Sequence, residues 1–351
     1  MSDSVTIALD AMGGDHAPGM VVKGANIARQ RFPKAHFVFF GDEARIRPLL
    51  EKKPKLNKVS AIRHADHAIK SEDKPSAALR SGRGSSMRLA CDAVRDGAAA
   101  GVVSAGNTGA LMAIAKFVLK TLPGIDRPAI AGYFPTLRGE SVMLDLGANV
   151  ECDANNLVEF AVMGNVFART VLGVLHPTVG LLNVGSEELK GHEALREAAA
   201  ILRGTSMPGR FHGFVEGDDI AKGTVDVIVT DGFTGNIALK TIEGTAKLYS
   251  EFLRGTFRIS LLSRLGYLMA RPALNGLRIR LDPRRYNGAI FLGLNGIAVK
   301  SHGGTDALGF ANAIAVAIDM AVHGAIEKIK EDFARLTTTQ QPVPDAKAAS
   351  L

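Results

Sequence analysis

With 351 residues, 46% of them hydrophobic and 22% charged, the chain has enough apolar material for a large core and too little charge density for a disordered polymer. Two cysteines, Cys91 and Cys152, exclude a disulfide framework and fit a reducing compartment, so a cytoplasmic protein is expected. A net charge of +7 raises nucleic acid as a partner, but Trp is absent, aromatics are 6% and no nucleic-acid-binding pattern is present, so none is expected.

The first four residues lack a basic region and the apolar run after them is broken by Asp10, so no secretory signal is read. The best membrane-span candidate, residues 157–175, contains Glu159, Asn165 and Arg169 and reads as a buried helix.

Residues 5–10 predict a strand ending on Asp10. It runs into a turn with Gly13 and Gly14, where small residues free the backbone to take positive φ and to approach an anion, and Pro18 then starts a helix over 18–30. A strand over 36–40 ends at Gly41-Asp42 before another helix, and 59–63 is a further strand. A helix over 85–95 places Met87, Cys91 and Val94 on one face, which makes Cys91 a core residue. Between these, His64-Ala65-Asp66-His67 lacks any further ligand spacing, so no metal is expected.

The strand–glycine turn–helix grammar then returns. Strand 101–104 leads through Gly106, Asn107, Thr108 and Gly109 to a helix over 110–120. Strand 142–145 ends on Asp145 and leads through Gly147 and Asn149 to a helix from 154, capped by Asp153. Strand 225–231 ends on Asp231 and leads through Gly235 and Asn236 to a helix over 237–244. Residues 181–191 form a fourth glycine loop, which ends on Lys190.

Alternation of strands and helices to about residue 330 predicts an α/β fold with a parallel sheet and helices on both faces, in a single domain over 1–335. Turns at strand carboxyl ends that feed helix N-termini collect partial positive charge, so the four loops are expected to form one anion-binding cleft. Residues 336–351 read as a disordered tail.

The excess charge is local. From 252 to 285 there are eight arginines and one acid, Asp282, so this stretch carries the whole +7 and the rest of the chain sums to zero. Within it, Leu261, Leu262, Leu265, Leu268 and Met269 fall on one helical face, and Ser260, Arg264, Tyr267 and Arg271 on the other. A basic amphipathic helix of this kind is suited to an anionic membrane surface or to packing on a dimer partner.

Residues 10–15 (D-A-M-G-G-D), 104–112 (S-A-G-N-T-G-A-L-M), 127–136, 142–164, 231–240 and 286–303 resemble, in order and over nearly the whole chain, the bacterial phosphate acyltransferase (PlsX) family. The resemblance implies transfer of a fatty acyl group from acyl carrier protein to inorganic phosphate for phospholipid synthesis. It implies a homodimer with a Rossmann-like three-layer α/β/α fold and a mostly parallel sheet, related in shape to phosphotransacetylases and isocitrate-type dehydrogenases. A membrane-bound glycerol-3-phosphate acyltransferase would consume the product at the inner face of the cell membrane, where this protein is expected to associate peripherally.

Phosphate is itself a nucleophile and a thiolate a good leaving group, so neither a protein nucleophile nor a cofactor is required, and Cys152 is read as structural. Backbone N–H groups of the Gly13-Gly14, Gly106-Asn107 and Gly235-Asn236 turns are candidates for the oxyanion and phosphate, with Lys190 as the phosphate cation. Asn107, Thr108, Asn149 and Asn236 would orient oxygens, and Asp10, Asp145 or Asp231 would take a phosphate proton or hold Lys190. His302 is a candidate acid for the leaving thiolate, although a plain hydrogen-bonding role is the simpler reading. Arg80 and Arg83 are candidates for phosphate or the acidic carrier protein, in a stretch where Ser81-Gly82 and Gly84 depart from the family's denser basic cluster. A short-chain enzyme using a CoA thioester and a non-catalytic membrane scaffold are the alternatives. A nicotinamide-dependent dehydrogenase is disfavoured because no G-x-G-x-x-G follows a strand.

Overall fold

The computed structural model describes residues 4–205 and 207–339. The first half runs β1 (Thr6–Asp10), α1 (Gly19–Arg31), β2 (His36–Gly41), α2 (Glu43–Glu51), α3 (Pro54–Asn57), β3 (Ser60–His64), α4 (Pro75–Ser81), α5 (Ser86–Arg95), β4 (Gly101–Ser104), α6 (Thr108–Leu119), β5 (Ala129–Pro135) and β6 (Glu140–Leu144). The second half runs α7 (Ala154–Val171), β7 (Thr178–Leu182), α8 (Glu193–Arg203), β8 (Arg210–Val215), α9 (Gly217–Lys222), β9 (Val227–Val229), α10 (Gly232–Thr256), α11 (Leu261–Arg280), β10 (Ala289–Leu292), β11 (Ile297–Lys300), α12 (Ala307–Val322) and α13 (Ala325–Thr339).

The strands form one mixed sheet in the order β3-β2-β1-β4-β11-β10-β5-β6-β9-β7-β8. Strands β3, β2, β1, β4 and β11 are mutually parallel, as are β6, β9, β7 and β8. Between these blocks the pairings β11–β10, β10–β5 and β5–β6 are antiparallel. Three reversals are an odd number, so the two parallel blocks point in opposite directions. Their carboxyl ends lie at opposite edges of the sheet.

Tight connections produce two of the reversals, and the third is the pairing of β10 with β5, which are not consecutive in the chain. The 136–139 turn closes with Thr136 N donating to Gly139 O at 2.8 Å, and Gly293, at φ +92°, starts the turn between β10 and β11. Short turns join only antiparallel neighbours, whereas a helix crossover returns the chain parallel. The expected parallel sheet is therefore mostly parallel, and the single cleft expected of its four loops is divided between two edges.

Apolar helices cover both faces. Helices α1, α7 and α12 enclose one cluster with Phe37, Phe39, Phe160, Phe167 and Phe310, and α5 and α6 enclose the other with Met87, Cys91, Leu111 and Ile114. Full burial of such side chains stabilises by about 1.5–3 kcal/mol each. Cys91 is buried as expected, and burial pushes its thiol pKa up. No single helix among the described residues is long and apolar enough to cross a membrane.

Two helices outrun their sequence reading. Helix α10 extends to Thr256 rather than Gly244, and only Gly232 and Gly235 of it are buried. Helix α13 continues to Thr339, past the fading of the pattern at 330 and into the first part of the expected tail; residues 340–351 lie outside the described ones. Ile329 and Phe333 bury beside Ala325, and Asp332 pairs with Arg169 of α7, which fastens this last helix.

Candidate active site

At the first edge three neighbouring strands end in one polar row. β1 ends on Asp10, β4 on Ser104 and β11 on Lys300, with Lys300 opposite Ser104 and Leu9 opposite Val103 in register. Side chains alternate along a strand, so Ala8, Val102 and Ala298, all in the second core cluster, mark the face that the row shares. Asp10 is 1% exposed; its Oδ1 accepts Ser86 Oγ–H at 2.6 Å and its Oδ2 accepts Ser104 Oγ–H at 2.6 Å. Met12 N–H adds a longer bond at 3.3 Å. Burial pushes the Asp10 carboxyl up from the usual carboxylate range, while these donors pull it back.

The turn after β1 closes over this row. A Cβ on Gly13 would lie 2.5 Å from Asp10 Oδ2 and 2.7 Å from Gly106 N, so only glycine lets the two turns touch. Gly14 has φ +96°, and a Cβ there would meet Ala105 Cβ at 2.9 Å and Gly303 O at 3.0 Å. Asp15 N–H donates to Gly303 O at 3.0 Å, so the loops after β1, β4 and β11 form one assembly. Asn287 secures the third loop: its Nδ2 donates to Ser301 Oγ at 2.8 Å and to Gly309 O at 2.7 Å, and its Oδ1 accepts His302 N–H at 2.9 Å. The exposed His302 ring accepts Gly304 N–H at Nδ1 (3.2 Å), which leaves Nε2 to carry the proton of a neutral imidazole.

Lys300 is a half-buried ammonium at the end of this row. Burial pulls its pKa down to about 8, and the nearby Asp10 and Asp15 charges act in the other direction. Its Nζ donates to the Ser301 carbonyl. Sequence reading passed over Lys300, Ser86, Ser104 and Asn287. Their signal is the register of β1, β4 and β11, and β11 is placed beside β4 only by the tertiary fold.

Both side-chain groups of Asn107 have partners within the chain. It caps α6 by accepting Ala110 N–H at 3.0 Å, and its Nδ2 donates to Ser71 O (2.8 Å) and Asp73 O (2.9 Å), tying the 70–73 loop to the edge. Thr108 starts α6 and is exposed. Arg80 and Arg83 are exposed on the segment before α5, with Arg80 Nε bonded back to Ser76 O.

At the second edge the loops after β6, β7 and β9 gather Asp145, Asn149, Lys190, Asp231, Gly235 and Asn236. Here the carboxylates are occupied by their own loops. Asp145, fully buried, accepts Ile130, Gly147 and Ala148 N–H at Oδ1 and both Asn149 N–H and Asn149 Nδ2–H at Oδ2, over 2.7–3.1 Å. Asp231 caps α10 through Thr234 N and Oγ1, both at 2.8 Å. Asn236 Nδ2 donates to Leu146 O, and Gly235 sits where a Cβ would be 1.9 Å from Asp145 O. Lys190 is exposed and pairs with Glu187 at 2.8 Å, so neither Asp145 nor Asp231 holds it. Lys190 follows β7 and Asp10 ends β1, strands of the two oppositely directed blocks, so the two belong to different edges of the sheet. Cys152, beside these loops, is a thiol with its pKa pushed up to about 12, chiefly by burial.

Helices α10 and α11 form a hairpin enclosing a groove of about 1250 Å³, lined by Ile242, Leu253, Phe257, Tyr267, Leu277 and Arg284 among others. Arg264 and Tyr267 line the groove, where the Tyr267 ring packs against Phe257 at a tilt of 59° with ring centroids 5.2 Å apart. Leu261, Leu262, Leu265, Leu268 and Met269 stand exposed, with Leu261 at 82% and Met269 at 78%. Arg271 is exposed as well. At the hairpin's base Arg284 bridges Asp282 and Asp306, the N-cap of α12, and so connects the hairpin to the loop carrying His302.

The family model of the fatty acid synthesis protein matches residues 5–328. Phosphate acyltransferase of Rhodospirillum centenum is 71% identical over 96% of this chain and 95% of its own length, and that of Rhodospirillum rubrum is 64% identical over 96% of both. Among solved structures, a phosphotransacetylase from Streptococcus pyogenes superposes with a TM-score of 0.63 at 19% identity, covering 91% of this chain and 94% of that one. EutD phosphotransacetylase from Staphylococcus aureus gives 0.60 at 17%, covering 91% and 96%. These two show the shared fold, and the full-length identity to the former pair shows that the chain belongs to the phosphate acyltransferase family of acyl-transferring enzymes.

Proposed function

We propose that the enzyme transfers a long-chain acyl group from the thioester of acyl carrier protein to inorganic phosphate at the first edge, yielding an acyl phosphate for phospholipid synthesis. The assembly of the Gly13-Gly14, Gly106 and Gly303 turns around Asp10, Ser104 and Lys300 is the observation that supports this most directly. It places a cation beside closely packed glycine turns, with no free nucleophile of its own. Ser86 and Ser104 are buried and donate to Asp10, and Cys152 is held as a thiol.

The reaction is then a direct displacement. An oxygen of hydrogen phosphate attacks the thioester carbon, the new C–O bond forms, the C–S bond breaks, and the phosphate's proton ends on the departing thiolate. The Gly13 amide is bonded to Asp10, so the Gly14 N–H and the Thr108 hydroxyl bind phosphate and the tetrahedral oxyanion, each donor contributing roughly 3 to 4 kcal/mol in the transition state. His302 Nε2–H faces the leaving sulfur, and Arg80 and Arg83 receive the acidic carrier protein at the rim. Lys190 and Asn236, at the other edge, serve in loop organisation.

The exposed leucine face of α11 docks reversibly on anionic membrane, with the hairpin also packing in a homodimer. Docking brings the labile product to a membrane-bound glycerol-3-phosphate acyltransferase. Incubation with palmitoyl-acyl carrier protein and phosphate, with hydroxylamine as trap, should give phosphate-dependent hydroxamate; product from acetyl-CoA alone would overturn the long-chain, carrier-protein reading.

A further inference from the structure

We propose that Lys300, at the end of β11, is the cation that binds the attacking phosphate; the proposal rests on the reading of the first edge as the acyl-transfer site. Its surroundings are unusual for a lysine. Buried charges are ordinarily paired, since an ammonium taken out of water recovers its lost hydration only from an opposite charge or a full set of acceptors. Among the described residues Lys300 is in no ion pair within 4.0 Å, and its three donors have one protein acceptor, the Ser301 carbonyl.

Asp10 is the nearest candidate counter-ion, and its oxygens are already engaged by Ser86 and Ser104 from two sides and by Met12 N–H. Asp15 lies in the adjacent turn, with Oδ2 3.3 Å from where a Cβ on Gly304 would stand. The groups facing Lys300 are therefore Asp10 of β1, Asp15 of the β1–α1 loop and Ser104 of β4. Ala289 opposes it on β10, α6 has no acid in its first turn, and His302 stands two residues on. Neither carboxylate closes on the ammonium, and three glycine turns stand beside it. A cation with no counter-ion at the sheet edge fits an anionic ligand, and phosphate is the reaction's own.

Lys300 has its pKa pulled down to about 8 by burial, well below its value in the unfolded chain. A lysine so shifted weakens the fold throughout the range below that value, because the folded state opposes its charge. Replacing it should therefore stabilise the protein at pH 7 while removing phosphate affinity, the trade-off seen where function maintains strain. A structural lysine would do the reverse.

The test is thermal unfolding of wild type, Lys300→Met and Lys300→Arg with and without inorganic phosphate, followed by steady-state acyl phosphate formation. Phosphate should raise the unfolding temperature of the wild type and of Lys300→Arg but not of Lys300→Met, and Lys300→Met alone should start from a higher temperature. In turnover, Lys300→Met should raise the KM for phosphate by about 10- to 100-fold, the loss expected of one charge-assisted bond. The wild-type loss of phosphate affinity above about pH 8 should vanish in Lys300→Arg, whose guanidinium stays charged. An equal phosphate shift in wild type and Lys300→Met, or a Lys300→Met protein less stable than wild type, would overturn the proposal. The phosphate shift is read without turnover, so failure of the acyl-transfer reading leaves this result standing and is separately visible as absence of wild-type product.

Discussion

Ser104 Oγ–H donates to Asp10 Oδ2 at 2.6 Å across the β1–β4 boundary, joining residues 94 positions apart, and the same hydroxyl oxygen accepts Gly106 N–H at 3.0 Å. One side chain thus satisfies a buried carboxylate and shapes the turn above it. Ser104→Ala should lower stability by about 1–3 kcal/mol at pH 7, the cost of leaving buried polar groups without partners. The Asp10 carboxyl has its folded-state pKa raised, so its contribution is present below the unfolded value near 3.8 and is lost as pH rises through the folded value. Removing a donor raises that pKa further, so the deficit should shrink in acid; urea midpoints at pH 7 and pH 4 measure it.

Gly235→Ala tests the second edge. The added Cβ would lie 1.9 Å from the Asp145 carbonyl oxygen and 3.0 Å from its carbon, both backbone atoms that no rotamer change can move. A loss of about 3 kcal/mol or more is expected from such overpacking, with the start of α10 pushed off the β6 loop. Hydrogen exchange of the amides bonded to Asp145 should quicken in the variant, whereas protection at Ala110 of α6, across the sheet, should stay as in wild type.

Much of this architecture was legible in the sequence because it is local. The helix from 154 announces itself by Asp153, whose side chain accepts Asn156 N–H while Asn156 answers with its own oxygen, a reciprocal cap written in four residues. The strands ending on Asp10 and Ser104 and their glycine turns were likewise readable from alternation and composition. What was not legible depends on neighbours distant in the chain. The sense of β6 and β9 against β1 is set by the 136–139 and 293–296 turns together with the antiparallel pairing of β10 with β5, and no residue within the 142–149 motif records it. Lys300 becomes a site residue only when β11 lies beside β4. Asn107 shows the converse: a polar residue in a glycine loop reads as unpartnered in the sequence, and the fold bonds it to Ser71 and Asp73.

The exposed face of α11 yields a prediction separable from folding. No residue of this helix is buried in the described chain, so Leu262→Glu with Leu265→Glu should leave the unfolding temperature of the main domain unchanged. Each leucine partly buried in a bilayer contributes on the order of 1 kcal/mol, so the pair should release the protein from anionic vesicles in a sedimentation assay while turnover with soluble substrates persists. Vesicle binding equal to wild type would remove the membrane role of this face, and loss of the dimer by light scattering would reassign it to subunit packing.

Glu159 of α7 provides a pH signature independent of the site. Its carboxyl is half-buried and its pKa is pushed up to about 7, first by burial and then by the Asp126 and Asp153 charges, while Asp126 N–H donates to it at 3.2 Å. Because the folded-state value lies above the unfolded one of 4.5, the contribution is fully present below about 4.5 and is lost as pH rises through about 7. Glu159→Gln keeps an oxygen for the Asp126 amide and cannot ionise. The variant should match wild type near pH 4.5 and exceed it at pH 8, by no more than about 1 kcal/mol because solvent screens a half-exposed carboxylate. Paired urea titrations across that range would show the wild-type midpoint falling between pH 5 and 8 and the variant's staying level; parallel curves would mean that the folded protein accommodates the Glu159 charge without cost.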